Sequence, residues 1–148
     1  MAISMFNSIL VVCTGNICRS PIAERILSNA MKNLQINSAG LGALIGHSAD
    51  LSAIRVAEKN GVSLEGHKGK QFSSEMARQY DLVLVMDKGH LERISQIAPE
   101  IRGKTMLLGH WLNKSEIPDP YKQSDEAFDF VYKLIEQSCK LWIEKIIG

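Results

Sequence analysis

Apolar and polar positions along this chain switch repeatedly between a continuous run and a helical spacing. In residues 7–12 the run Ile9-Leu10-Val11-Val12 is unbroken, which predicts a strand covered on both faces rather than a half-exposed one. Residues 21–34 then set Ile22, Ile26, Leu27, Ala30, Met31 and Leu34 at helical intervals. A second strand is predicted over 36–39 and ends at Gly40. A helix follows over 49–60, closed by Gly61. A short helix over 74–79 has Ser73 as its cap, and 81–86 forms another strongly apolar strand. Asp87 opens a helix carrying Leu91, Ile94 and Ile97 that Pro99 interrupts, and 104–108 reads as a fourth strand. Residues 111–123 hold two prolines among polar residues and read as a surface loop. The last segment aligns Phe128, Val131, Ile135, Cys139, Trp142 and Ile146 on one stripe, with Ser124 as cap and Asp125 and Glu126 at its positive end.

Strand and helix in alternation predict a three-layer α/β fold, a four-stranded parallel sheet with helices on both faces. Residues 1–148 read as one domain, long enough for a core without covalent staples. Residues 1–4 read as a remnant or an alternative start, because Met5 also makes a sensible beginning. The 45% hydrophobic and 22% charged content is ordinary for a soluble protein, and a net charge of +1 argues against a nucleic-acid partner. No apolar run reaches spanning length, which excludes membrane insertion, and no leader pattern precedes the first strand. Three cysteines, an odd number, fit a reducing compartment, and the expected location is cytoplasmic.

The chemistry concentrates in Cys13-Thr14-Gly15-Asn16-Ile17-Cys18-Arg19-Ser20-Pro21, between the first strand and the first helix. Ser20 is suited to cap that helix and Pro21 to occupy its first position. Backbone N–H groups and a positive helix end converge in such a turn, and Arg19 adds a planar fork for a tetrahedral oxyanion. Cys13 faces the same field, which favours its thiolate and makes it a nucleophile. Gly15 is able to take a positive φ that turns the N–H groups inward, and Asn16 tolerates the left-handed region and can brace the loop. Ser20 can give its hydroxyl to the thiolate. Ligands of parallel sheets bind beyond the carboxyl ends of the strands, which is where Cys13 falls.

Other patterns carry less. His47, His67, His90 and His110 show no metal spacing and read as structural or surface residues; no metal or cofactor is expected. Residues 40–46 imitate a dinucleotide turn, but after the second strand and without a paired half. Residues 61–68 imitate a nucleotide loop with histidine in place of lysine. Cys139 and both tryptophans read as packing residues.

The Cys13-to-Ser20 loop resembles the phosphate-binding signature of the low-molecular-weight protein tyrosine phosphatases, and the resemblance extends from Met5 to the last helix. It includes Asp119-Pro120-Tyr121 far downstream. Residues 38–45 and 109–121 resemble a bacterial branch that pairs with tyrosine autokinases controlling capsule and exopolysaccharide production. The resemblance implies strand order 2-1-3-4. It also implies a two-step displacement: Cys13 is the nucleophile, Thr14, Gly15, Asn16, Ile17, Cys18 and Ser20 form the phosphate-binding loop, and Arg19 is the phosphate clamp. Asp119 would be general acid and then general base, with Tyr121 and Leu44 as walls of the substrate slot. Leu44 stands where relatives often carry a bulky aromatic. Cys18 matches a cysteine that in some relatives forms a reversible disulfide with the nucleophile. The expected partner is a phosphotyrosine protein, a membrane-anchored tyrosine autokinase.

Three alternatives share parts of this pattern. Protein arginine phosphatases usually carry threonine where Ile17 stands. Thiol-dependent arsenate reductases need two further relay cysteines, and residues 81–95 contain none. A non-catalytic phosphotyrosine binder would lack the nucleophile or the acid, and both are present.

Overall fold

In the computed structural model, which describes residues 6–147, the chain runs β1 (Ser8–Cys13), α1 (Arg19–Ala30), β2 (Gln35–Gly40), α2 (Leu51–Lys59), α3 (Ser74–Arg78), β3 (Leu82–Val85), α4 (Lys88–Ile97), β4 (Thr105–Leu107) and α5 (Asp125–Ile147). The expectation for residues 1–4 lies outside the described residues. All strand pairs are parallel and their order is β2-β1-β3-β4, as the resemblance implied.

Every residue of β1 is buried, the physical meaning of its unbroken apolar run. Ile9, Val11 and Cys13 point to a face packed by α1, α2 and α5, where Ile22, Val56 and Trp142 lie. Leu10 and Val12 point to the opposite face, against Ala77 of α3 and Ile94 of α4. The stripe predicted for the last helix is buried throughout, from Phe128 to Ile146. Trp142 also donates its indole N–H to the Leu108 carbonyl at 2.8 Å.

Side-chain caps open α2, α3 and α4. Ser73 and Asp87 accept from the amides of Met76 and His90, as expected from the sequence. Asp50, which sequence reading passed over, caps α2 by accepting from Ser52 and Ala53. Gly61 follows α2 at φ +80°, the left-handed position that closes a helix.

Two expectations need correction. Ser20 does not cap α1. The helix begins at Arg19 with Cys18 at the cap position and no side-chain cap, because the Ser20 hydroxyl turns to the Cys13 thiol instead. Pro21 then sits third in the helix, where its missing N–H still belongs to the unpaired first turn. The 111–123 segment is not wholly a surface loop. Ile117 is fully buried and donates its N–H to the Met86 carbonyl at 2.9 Å, strapping the segment across the end of β3.

Because β2 and β3 flank β1 on opposite sides, the segments leaving β1 and β3 part at the carboxyl edge of the sheet and open a cleft there. The β2 end closes tightly on it. A Cβ on Gly40 would stand 2.5 Å from the Thr14 carbonyl oxygen, whereas one on Gly42 would meet nothing within 4 Å. Gly40→Ala is therefore expected to lose about 1–3 kcal/mol of stability, and Gly42→Ala to stay within about 0.5 kcal/mol of the parent. Denaturant titration of the two variants checks the contrast.

Candidate active site

Five consecutive carbonyls at the end of β1 are all engaged away from the cleft. Cys13 O accepts from Leu41 N (3.0 Å), Thr14 O from Gly42 N (2.9 Å), Gly15 O from Leu44 N (3.1 Å), Asn16 O from His67 Nε2 (2.6 Å) and Ile17 O from Asp50 N (2.9 Å). In a trans peptide the N–H lies opposite the preceding carbonyl, and no peptide bond among the described residues is cis. Pinning these carbonyls on one side therefore turns the amides of residues 14–18 to the other. The result is a ring of donors at a helix N-terminus.

Asn16 holds the bend. Its φ is +58°, so the left-handed residue of the loop is Asn16; Gly15 has no positive φ. The strain is compensated by a fully buried side chain with three partners. Nδ2 donates to Ser20 Oγ (2.8 Å) and Ser38 Oγ (3.0 Å), and Oδ1 accepts from Lys70 N (2.9 Å). Ser38 in turn donates to Glu24. Because Ser20 Oγ accepts from Asn16, its own proton is available to Cys13 Sγ at 2.9 Å, and the Asn16 amide reaches the same sulfur at 3.3 Å.

Arg19 is 2% exposed. Nη1 donates to the Ile117 carbonyl at 2.8 Å and lies 3.5 Å from Asp87, while Nη2 lies 3.8 Å from Asp119 and 3.4 Å from Thr14 Oγ1. Two carboxylates thus compensate a buried cation whose fork borders the cleft. Asp119, half exposed, is held by the amide of Tyr121 on its Oδ1 at 3.1 Å.

Of the residues expected at the site, Cys13, Thr14, Gly15, Ile17, Cys18, Arg19, Leu44, Asp119 and Tyr121 all line one cleft of about 220 Å³. Asn16 and Ser20 stand behind it as braces. Gly42 joins the lining; it lies in the segment set aside as a false dinucleotide turn. Sequence reading passed over Ser38 and Ile117, used Asp87 only as a helix cap, and took His67 and His90 as structural or surface residues without placing them at the loop, where both rings make hydrogen bonds.

Burial sets the protonation of the surrounding groups. It lowers the pKa of His67, whose ring donates to Asn16 O. Burial also lowers that of His90, an effect that Asp87 opposes and Arg19 reinforces. The Cys18 thiol is pushed far up by burial and then by Asp50, and Cys139, fully buried on α5, is raised by burial and then by Glu136. Both stay thiols at neutral pH.

Comparison with known proteins agrees with this geometry. The family described as low molecular weight phosphotyrosine protein phosphatase matches residues 8–147. The low molecular weight protein-tyrosine-phosphatase Wzb of Escherichia coli strain K12 is 55% identical over 142 residues, which span 96% of this chain and 97% of that protein. The crystal structure of the tyrosine phosphatase Wzb from Escherichia coli K30 in complex with sulphate superposes with a TM-score of 0.95 at 67% identity, covering 96% of this chain and 99% of that one. The YwlE arginine phosphatase from Geobacillus stearothermophilus shares the fold more distantly, with a TM-score of 0.89 at 31% identity over 95% of this chain and 92% of that one. With its thiol, its arginine and its turn of inward amides in one cleft, and with the family model matching residues 8–147, the chain belongs to the low-molecular-weight phosphotyrosine protein phosphatase family.

Proposed function

We propose that this protein hydrolyses phosphotyrosine in proteins through a phosphocysteine. The observation that carries the reading is the ring of inward amides around Cys13 Sγ, with the Arg19 fork beside it. In the first step the Cys13 thiolate attacks phosphorus in line, and the S–P bond forms as the P–O bond to the phenol breaks. Asp119 gives its proton to the leaving oxygen. The amides of residues 14–18 and the Arg19 guanidinium take up the charge on the three equatorial oxygens, so the reading requires no metal. In the second step water attacks phosphorus and passes its proton to Asp119. The S–P bond then breaks, releasing phosphate and the thiolate.

Ile17, Leu44 and Tyr121 give the cleft an apolar lining suited to an aryl ester. Leu44 and Tyr121 remain 38% and 40% exposed, so they form a shallow slot with one aromatic wall rather than two. An arsenate-reducing relay has no support, since Cys139 is fully buried on α5 and residues 81–95 hold no cysteine to relay a disulfide. Within this reading the chain acts as one catalytic domain in the cytoplasm. Its substrate is a membrane-anchored tyrosine autokinase that controls capsule or exopolysaccharide synthesis. The printed names of the Wzb relatives support the tyrosine phosphatase activity, and the branch resemblance of residues 38–45 and 109–121 supports the choice of an autokinase.

Side-by-side hydrolysis of phosphotyrosine and phosphoarginine peptides tests the substrate. Preference for phosphotyrosine, abolished by Cys13→Ser, is expected; preference for phosphoarginine would keep the mechanism and overturn the substrate. Asp119→Asn is expected to lower kcat by about 10²–10⁴-fold while inorganic phosphate still inhibits competitively, which steady-state kinetics with an aryl phosphate measures.

A further inference from the structure

Thr14 enters the site through its backbone, yet its side chain is built into a second hydrogen-bonding system. Its Oγ1 lies 3.0 Å from His90 Nε2 and 3.4 Å from Arg19 Nη2. The histidine's tautomer follows from its other nitrogen. Nδ1 accepts from the Met86 amide at 3.3 Å, and Asp87 Oδ1, which itself accepts from the His90 amide, lies farther from Nδ1 at 3.5 Å. The closer contact makes Nδ1 the acceptor, so the neutral ring carries its proton on Nε2 and donates to Thr14. His90 is itself buried and seated in the first turn of α4, where its amide donates to Asp87 Oδ1 at 2.9 Å. The depressed pKa of His90 keeps that neutral form at physiological pH.

A hydroxyl has two acceptor positions and one proton. On Thr14 both acceptor positions face donors that cannot reverse, the imidazole Nε2–H and the guanidinium. The remaining proton has no protein acceptor among the described residues. Thr14 is an exposed residue, it lines the cleft, and it follows the nucleophile directly.

We infer that the Thr14 hydroxyl is an additional substrate contact, a donor to a non-bridging oxygen of the bound phosphoryl group, and that His90 is the positioning residue that keeps it a donor. The inference rests on the proposed phosphatase reading and deepens it. The loop then reads the oxyanion through a side chain as well as through amides and Arg19. It also links the end of β3, through His90, to the residue next to Cys13.

The test compares competitive inhibition by inorganic phosphate, together with kcat and KM for an aryl phosphate, in five proteins: the parent, Thr14→Val, Thr14→Ser, His90→Phe and the Thr14→Val/His90→Phe pair. Thr14→Val keeps the shape and removes the hydroxyl. It is expected to weaken phosphate inhibition about tenfold, the loss of one charge-assisted hydrogen bond. Thr14→Ser should recover most of that loss. His90→Phe is expected to weaken inhibition by about threefold alone and by nothing further in the Thr14→Val background, the non-additivity of residues acting as a unit. Phosphate inhibition of Thr14→Val equal to that of the parent overturns the inference while Cys13-dependent hydrolysis leaves the phosphatase reading intact. Equal losses from His90→Phe in both backgrounds overturn the role of His90. Should His90→Phe fail to fold, the comparison of Thr14→Val with Thr14→Ser still decides the contact. A parent protein that neither hydrolyses aryl phosphates nor binds phosphate overturns both.

Discussion

The outward anchoring of five successive carbonyls, Cys13 through Ile17, is the constraint on which the site rests. Amides on the far side of those peptide planes have nowhere to point but the cleft, and an anion is the ligand that satisfies several at once. The anchors come from three places: the continuation of β2 at Leu41 to Leu44, the cap residue Asp50 of α2, and the buried ring of His67. Each must come close to the loop. Gly40 allows the first, because any side chain there would collide with Thr14. Preorganisation of this kind removes the need to reorient dipoles as charge develops, which is where electrostatic catalysis gains most.

Arg19 imposes the complementary demand. A cation buried to this degree is stable only with near partners, and it has Asp87 at the end of β3, the Ile117 carbonyl from the segment after β4, and Asp119 on the same segment. These contacts draw the ends of β1 and β3 and the 111–123 segment around one guanidinium. The burial of Ile117 follows from the same arrangement: the strap must pass deep enough for its carbonyl to reach Arg19. Positioning the proposed acid and positioning the proposed phosphate clamp are thus one structural problem, solved by one segment.

The order of elements was legible because each carries its own period and punctuation: the unbroken run of β1, the stripe of α5, and the caps at Ser73 and Asp87. The heart of the site was legible for a related reason. Cys13, Asn16, Arg19 and Ser20 lie within one turn, so local chemistry is also spatial chemistry. Assigning the Ser20 hydroxyl to the helix cap failed because a buried thiol and the Asn16 amide compete for it, and that competition exists only in the folded loop. Ser38, His67, His90 and Ile117 converge from separate elements and carry no spacing signature, and histidine rules built on metal motifs are silent about a ring that holds a carbonyl. Asp119, Leu44 and Tyr121 came from family resemblance. The Asp-Pro pair alone reads as an ordinary turn opener, and a turn is in fact what the Asp119 side chain makes with the Tyr121 amide.

The account turns on covalent chemistry at Cys13, and trapping the intermediate addresses it most directly. The protein is mixed with an aryl phosphate, quenched in acid within the first turnover, and its peptides are weighed by mass spectrometry. The predicted result is a single phosphoryl group on the peptide containing Cys13, formed at the rate of phenol release and lost on chasing with buffer. Phenol release with no phosphorylated cysteine, or with the phosphoryl group on another residue, would contradict the account.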